Sequence, residues 1–273
     1  MWWNGVTKGR TPPAVTEGVC AGDRKGGMMK SYLSFGGGVN SVAMMLYCLN
    51  EGWDFEAVFV DHGTDWPETY EYLEMFQGWL VKRNYKPITV LKPTVRTIDK
   101  KIFNNLYDYC WEKRIFPARM SRMCTDKFKI TPLEKYYNKQ SCFVLIGIDQ
   151  GESHRATIKT KKGYEYRYPL IEAGMNRADC EAFIHDKNLP VPIKSGCFIC
   201  PFQPRYQYKE LRHLHPDLFC KAEQLENRYI DRRKKEGKKP LYICMEMPLR
   251  VVVEEDQYKL FEIDEYPPCN CML

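Results

Sequence analysis

The stretch "SFGGGVNS" (34–41) places three consecutive glycines between a run of strand character, "SYLSF", and a segment of helical period from Asn40 to Asn50 that Gly52 stops. A turn so poor in side chains, set between a buried strand and a helix, lets backbone N–H groups converge on one point while the helix N-terminus adds partial positive charge. It reads as a cradle for phosphate or as a way to pack the helix closely on a sheet. Its spacing fits neither G-x-G-x-x-G nor G-x-x-x-x-G-K-[ST]. The alternation continues: "EAVFV" (56–60) reads as a second strand, and Pro67 opens a helix carrying Leu73, Phe76 and Leu80. "ITVL" (88–91) follows as a strand, then Ile98, Ile102, Leu106 and Tyr109 at helical spacing, then "FVLIGI" (143–148), apolar throughout as a strand buried on both faces should be. Such alternation predicts an α/β fold, a doubly wound and mainly parallel sheet, with a C-terminal helical, cysteine-containing extension.

The expected organisation is a flexible leader over 1–29, a nucleotide-binding α/β domain over 30–172, and a C-terminal region over 173–273. The leader is rich in Gly, Thr and Pro, shows no apolar period, and holds the pair Met28–Met29, a possible alternative start. In the C-terminal region "NRADCEAFIHDKN" reads as a helix with Asn176 as N-cap and Asp179 three residues on. A longer helix shares Leu218, Ala222, Leu225 and Tyr229 on one face, and "RRKKEGKK" (232–239) reads as its solvated end, with a nucleic-acid patch as the alternative. "RVVVEE" reads as a strand. No run approaches the ~20 apolar residues of a membrane span, and the first residues lack the apolar core of a signal peptide, so a cytoplasmic location without membrane contact is expected. The formal net charge of +6 suits an anionic partner without demanding one.

Four further segments, with the glycine turn, carry a resemblance. "SFGGGVNS" is similar to the S-G-G-x-D-S pyrophosphate loop of the adenine nucleotide alpha-hydrolase (PP-loop) superfamily, in the branch of the phosphoadenosine phosphosulfate (PAPS) reductases. "DHGTDWPET" (61–69) resembles D-T-G-x-x-F-P-E-T. "CTDKFKITPL" (124–133) resembles C-C-x-x-R-K-x-x-P-L, "GIDQGESHR" (147–155) resembles G-x-R-x-x-E-S-x-R, and "SGCFICPF" (195–202) resembles G-C-x-x-C. The match spans about residues 30 to 230. It implies an adenine nucleotide (PAPS, APS or ATP, with Mg if ATP is used) held by Ser34, Phe35, Gly36, Gly37, Gly38, Asn40 and Ser41. Asp61 and Gly147 would lie beside it, and Lys129 and Arg155 would supply positive charge. Departures from the pattern include four positions: Gly36 replaces a serine, Asn40 the loop aspartate, Thr125 the second cysteine of the pair, and Asp149 an arginine. A carboxylate at 149 repels a sulfate or phosphate instead of pairing with it.

Cys197 and Cys200 form a C-x-x-C that by itself suits a zinc half-site, a redox pair or a chance spacing. The resemblance brings Cys124 to the same place. Three thiolates with an open fourth position suit a [4Fe–4S] cluster better than a closed structural zinc site, while unligated core cysteines remain a third reading. Cys110, Cys269 and Cys271 are candidates for a fourth ligand. Cys48, Cys142, Cys180, Cys220 and Cys244 read as core residues. The reductases carry a nucleophilic cysteine on a C-terminal tail in an E-C-G-L-H setting. Here the tail ends in "PPCNCML", whose Cys269 and Cys271 are catalytic candidates. His213 and His215 read as helix-surface residues on different sides, and His62 as a neighbour of the nucleotide only by position.

The leading expectation is thiol-dependent reduction of a sulfated adenylate to sulfite, with a thioredoxin-like reductant as partner. The alternatives are an ATP-dependent, adenylating sulfurtransferase that thiolates a nucleic acid or small molecule using a [4Fe–4S] cluster whose open iron carries the sulfur, and a nucleotide-binding module without turnover. The arginine missing at 149 and the absent E-C-G-L-H favour the sulfurtransferase; the "WPET" and "CTDKFKITPL" kinship favours the reductase.

Overall fold

A computed structural model describes residues 29–138, 140–156, 163–193, 196–244 and 247–254. The leader expected over 1–29 lies outside these except for Met29, and so do Cys269 and Cys271. Strand β1 (Lys30–Phe35) leads through the glycine turn into helix α1 (Val39–Asn50); β2 (Glu56–Val60), α2 (Pro67–Val81) and β3 (Thr89–Leu91) follow. A short antiparallel pair, β4 (Val95–Arg96) and β5 (Ile102–Phe103), precedes α3 (Leu106–Lys113). Next come α4 (Met123–Thr125), a π-helical turn (Asp126–Ile130) and α5 (Thr131–Tyr136), then β6 (Cys142–Ile146), a 3-10 turn (Gln150–Arg155), β7 (Tyr164–Arg167) and α6 (Pro169–Glu172). Four helices follow among the described residues: α7 (Arg177–Asp186), α8 (Arg205–Leu214), α9 (Pro216–Lys235) and α10 (Leu249–Glu254). Among the described residues no helix is long and apolar enough to cross a membrane.

The main sheet has the order β3-β2-β1-β6-β7, and every pairing in it is parallel. Its central strands β2, β1 and β6 are largely buried on both faces, which explains their near-continuous apolar runs. On one face α1, α2 and α7 close a cluster around Leu33, Phe59, Phe76, Leu145 and Ile184. On the other, Tyr32, Val144 and Ile146 pack with Tyr137, just beyond α5. A third cluster away from the sheet joins α3, α8, α9 and α10 through Phe128, Tyr208, Phe219 and Leu225. The strand order reverses at β1, so the crevice outside the carboxyl ends of β1 and β6 is the switch point where open α/β sheets bind ligands.

Four expectations need correction. Ile98 and Ile102 are exposed and belong to the β4–β5 hairpin; the helix begins only at Leu106, where the Asn105 side chain accepts from the Tyr107 and Asp108 amides. "RVVVEE" is helical: buried Glu226 accepts from the Leu249 amide at 2.8 Å, and Leu249 and Val252 turn inward one helical turn apart. The buried face of α9 is centred on Phe219, Ala222, Leu225, Glu226 and Ile230, which leaves Leu218 and Tyr229 at its margin and Cys220 exposed instead of in the core. His215 is not a helix-surface residue but the junction of α8 and α9: its Nε2 lies 2.8 Å from Glu68 Oε1 and its ring meets Trp66 edge-on, fixing the C-terminal helices to the start of α2.

Candidate functional site

The glycine turn sits at the switch point. Gly37 has φ +74°, and a Cβ there would stand 2.8 Å from Thr69 Cγ2, so both conformation and space require glycine. Gly38 is the N-cap of α1, no side chain caps the first turn, and that turn holds no acidic residue. Its amides therefore face outward with the positive end of a 12-residue helix behind them. Gly147, just beyond β6, comes so close to this turn that a Cβ would lie 3.0 Å from Asn40 O and 3.1 Å from Ser41 N. Ser41 Oγ donates to Gly38 O at 2.8 Å. Ser34 is half-buried in β1, and Phe35 points into the core, stacked on Phe76, so only its backbone is available to a ligand.

Two departures from the family pattern touch each other. Asn40 Nδ2 donates to Asp149 Oδ2 at 2.9 Å and reaches Glu152 Oε2 at 3.5 Å. Asp149 also accepts from the Glu152 amide, which caps the 3-10 turn, and Glu152 pairs with Arg155 at 2.7 Å. Arg177 Nη1 lies 3.5 Å from Asn40 Oδ1. Two carboxylates and two guanidiniums thus surround Asn40. Asp61 is engaged locally: its Oδ1 accepts from the Gly63 amide and the Tyr70 hydroxyl, both at 2.9 Å.

The second constellation lies beyond the end of β2. The segment 196–198 zips onto 64–66 through Trp66 N to Gly196 O at 3.0 Å and Phe198 N to Thr64 O at 2.9 Å. This brings the C-x-x-C under the segment that carries Cys124. Cys124, Cys197 and Cys200 border one cavity of about 620 Å³ including its open mouth, together with His62, Arg119, Arg122 and Lys129, and its lining contains no carboxylate. Lys129, expected beside the nucleotide, lies here among the thiols. Sequence reasoning passed over Arg119 and Arg122; the only signal was their place in "ARMSRM", immediately before Cys124.

A hydrogen-bonded chain stands behind Cys197: Sγ to Thr64 Oγ1 at 3.0 Å, Thr64 Oγ1 to His62 Nδ1 at 2.7 Å, and His62 Nε2 to Asp65 Oδ2 at 3.5 Å. Burial pushes the Cys197 thiol well above its usual pKa, and Cys200 adds to the effect; burial likewise lowers that of His62. Cys110 is buried in the helical cluster rather than in the cavity lining, and burial raises its pKa. Among the described residues, no three His, Cys, Asp or Glu side chains are grouped to hold a single metal ion. Cys124, Cys197 and Cys200 instead share the lining of one cavity with three cations and no carboxylate, a donor set that suits thiolate ligation.

The phosphoadenosine phosphosulfate reductase domain model matches residues 30–189. The chain is 24% identical over 222 residues to the uncharacterized protein MJ0973 of Methanocaldococcus jannaschii, covering 75% of this chain and 47% of that protein. It is 25% identical over 219 residues to the uncharacterized protein MJ0066 of the same organism, covering 73% and 42%. The chain thus spans less than half the length of these curated relatives. Among solved structures, the phosphate complex of PAPS reductase from Candida auris aligns with a TM-score of 0.42 and 18% identity, covering 60% of this chain and 76% of that one.

Proposed function

The chain belongs to the phosphoadenosine phosphosulfate reductase domain family, matched over residues 30–189, and from that premise we propose that it is an adenine-nucleotide-dependent enzyme of sulfur chemistry that uses magnesium ATP to activate an acceptor oxygen. The charge balance at the mouth of the glycine turn carries this reading. Among the described residues, Asp149 and Glu152 stand against Arg155 and Arg177 around Asn40, so the charges that meet there balance. Magnesium binds through one or two carboxylates plus substrate phosphates, and these carboxylates supply the protein's share. An arginine at 149 would suit a sulfated adenylate without metal; an aspartate does not.

In this reaction the acceptor oxygen attacks the α-phosphorus and pyrophosphate leaves, its developing charge facing the first-turn amides of α1. Hydrosulfide sulfur then attacks the activated carbon, the C–S bond forms, the C–O bond breaks, and AMP departs with the electron pair. Cys124, Cys197 and Cys200 would hold a [4Fe–4S] cluster, with Arg119, Arg122 and Lys129 offsetting the thiolate charge. When bound, the cluster supplies an iron with an open coordination position. Ligation would also relieve the cost of a desolvated Cys197 thiolate.

One observation favours a second reading, reduction of a sulfated adenylate: the thiol cavity is lined by cations without a carboxylate, as a sulfonate would require. There a thiolate attacks sulfur and the adenylate leaves; a second thiol then attacks the sulfonated cysteine, releasing sulfite and leaving a disulfide for a thioredoxin-like reductant. Cys269 and Cys271 are the proposed pair. Anaerobically prepared protein separates the readings. Magnesium-dependent conversion of ATP to AMP and pyrophosphate, stimulated by an acceptor, supports the first. Sulfite release from PAPS or APS without ATP cleavage replaces it with the second, and ATP binding with neither reaction supports a module without turnover.

A further inference from the structure

Between Arg228 and Lys239 the chain carries seven basic residues against two acidic ones, Asp231 and Glu236, while the formal net charge of the whole chain is +6. The end of α9 and the turn after it thus concentrate most of the charge surplus. The helix dipole accounts for cations in the last turn, but not for the surface they continue into. Arg228 Nε donates to the Trp111 carbonyl at 2.9 Å and its guanidinium lies over the Trp111 ring. Arg232 Nη1 lies 3.3 Å from Lys113 O and 3.5 Å from Arg114 O. Carbonyl acceptors hold the Arg228 guanidinium in place without neutralising it, whereas Arg232 also pairs with Glu236 at 2.8 Å, as Lys238 does, which leaves Arg228, Arg233, Lys234, Lys235 and Lys239 as the strip's surplus.

Exposed Arg114 ends α3, and Phe116 then packs on Tyr229 of α9 with ring centroids 4.5 Å apart. The chain runs on into the turn bridged by Ala118 and Ser121. This turn brings Arg119 and Arg122 to the lining of the thiol cavity, and Arg119 Nε is anchored on Pro201 O at 2.9 Å. Between them in the sequence, Met120 is 97% exposed. Helix α9 lies beyond residue 189, where the family match ends.

We propose that this strip, from the end of α9 across Arg114 to the Arg119–Met120–Arg122 turn, binds the phosphodiester backbone of a nucleic acid and presents one of its bases to the thiol cavity. Repeated phosphates match a row of cations that leads into a pocket. An exposed methionine flanked by arginines is the kind of apolar wedge that opens a base step, and chemistry on a base requires it out of the stack. The identification of the nucleic acid as the activated acceptor rests on the ATP-dependent reading above; the binding surface does not.

The test is fluorescence anisotropy with the full chain, without ATP, on bulk transfer RNA, a single-stranded DNA and a duplex of the same length, at about 50 and about 200 mM salt. Binding should weaken at least about tenfold between the two salts. The triple substitution Lys234→Glu, Lys235→Glu, Lys239→Glu should weaken it at least about tenfold further and flatten the salt slope. Met120→Ser should weaken binding without changing that slope. Whichever nucleic acid binds tightest distinguishes RNA from DNA as the source of the backbone. The proposal is overturned if none binds at the lower salt, or if the triple variant, shown folded by its melting curve and by unchanged ATP binding, binds like the parent. Absence of AMP formation alongside salt-sensitive binding would retire the ATP-dependent reading alone.

Discussion

The glycine turn and the thiol cavity lie beyond the carboxyl ends of neighbouring strands, β1 and β2, yet they are built in opposite ways. The turn is a backbone device within one strand-turn-helix unit, completed by Gly147 and the Asn40–Asp149 contact, and the described charges that meet around Asn40 balance. The cavity is a side-chain device assembled from three distant segments, around 62–65, 117–129 and 196–202, and its lining is cationic. The difference teaches that one site tolerates exchange of charged side chains but not of glycines, whereas the other depends on long-range docking. Damage to one should therefore leave the other intact.

The largest effect is expected at Gly147. Gly147→Val would drive a side chain into the Asn40 carbonyl, which stands 3.0 Å from the Cβ position; about 3 kcal/mol of stability and measurable ATP binding should be lost, read by thermal melting and titration calorimetry. Next is Glu226, whose carboxylate accepts from the Ile243 and Leu249 amides at 2.8 Å each beneath the cavity-bearing helices. Glu226→Ala strands two buried donors and should cost about 2 to 3 kcal/mol while leaving the affinity for ATP unchanged. Burial raises the Glu226 pKa, so its contribution is fully present below the ordinary glutamate value and fades as pH rises through the raised one. Glu226→Gln should remove that slope from the pH dependence of the melting temperature.

A smaller effect separates the sites by charge. Asn40→Asp sets a third carboxylate beside Asp149 and Glu152, and should weaken magnesium ATP binding about tenfold, or about 1.4 kcal/mol. Adding Asp149→Arg should not restore it, because that change removes a proposed magnesium ligand; a double-mutant cycle measures the coupling. The smallest effect is at Thr64: Thr64→Val removes the contacts to Cys197 and His62 and should cost about 1 kcal/mol of stability, with ATP affinity unmoved.

What was legible in the sequence is what local chemistry decides. β1, the glycine turn and α1 follow from period and glycine placement, α2 starts at Pro67 as that residue's fixed φ suggests, and the Asn176–Asp179 capping box forms as spaced. The misreadings share one cause, tertiary contacts overriding local pattern. Ile98 and Ile102 fall at helical spacing by coincidence, while the Asn105 cap marked the real helix start. The β-branched run at 251–253 is helical because Glu226, more than twenty residues earlier, holds its first turn. The C-x-x-C and Cys124 were visible as motifs, but Arg119, Arg122 and the Thr64–His62 chain were not. Their convergence depends on 196–198 docking against 64–66, a pairing no local pattern encodes.

The most direct test is a crystal structure with magnesium and a non-hydrolysable ATP analogue. The phosphates should accept hydrogen bonds, at about 3 Å, from backbone amides between Gly37 and Ser41, with the metal on Asp149 or Glu152. Phosphates lodged instead in the thiol cavity among Arg119, Arg122 and Lys129, with the glycine turn bare, would contradict the account.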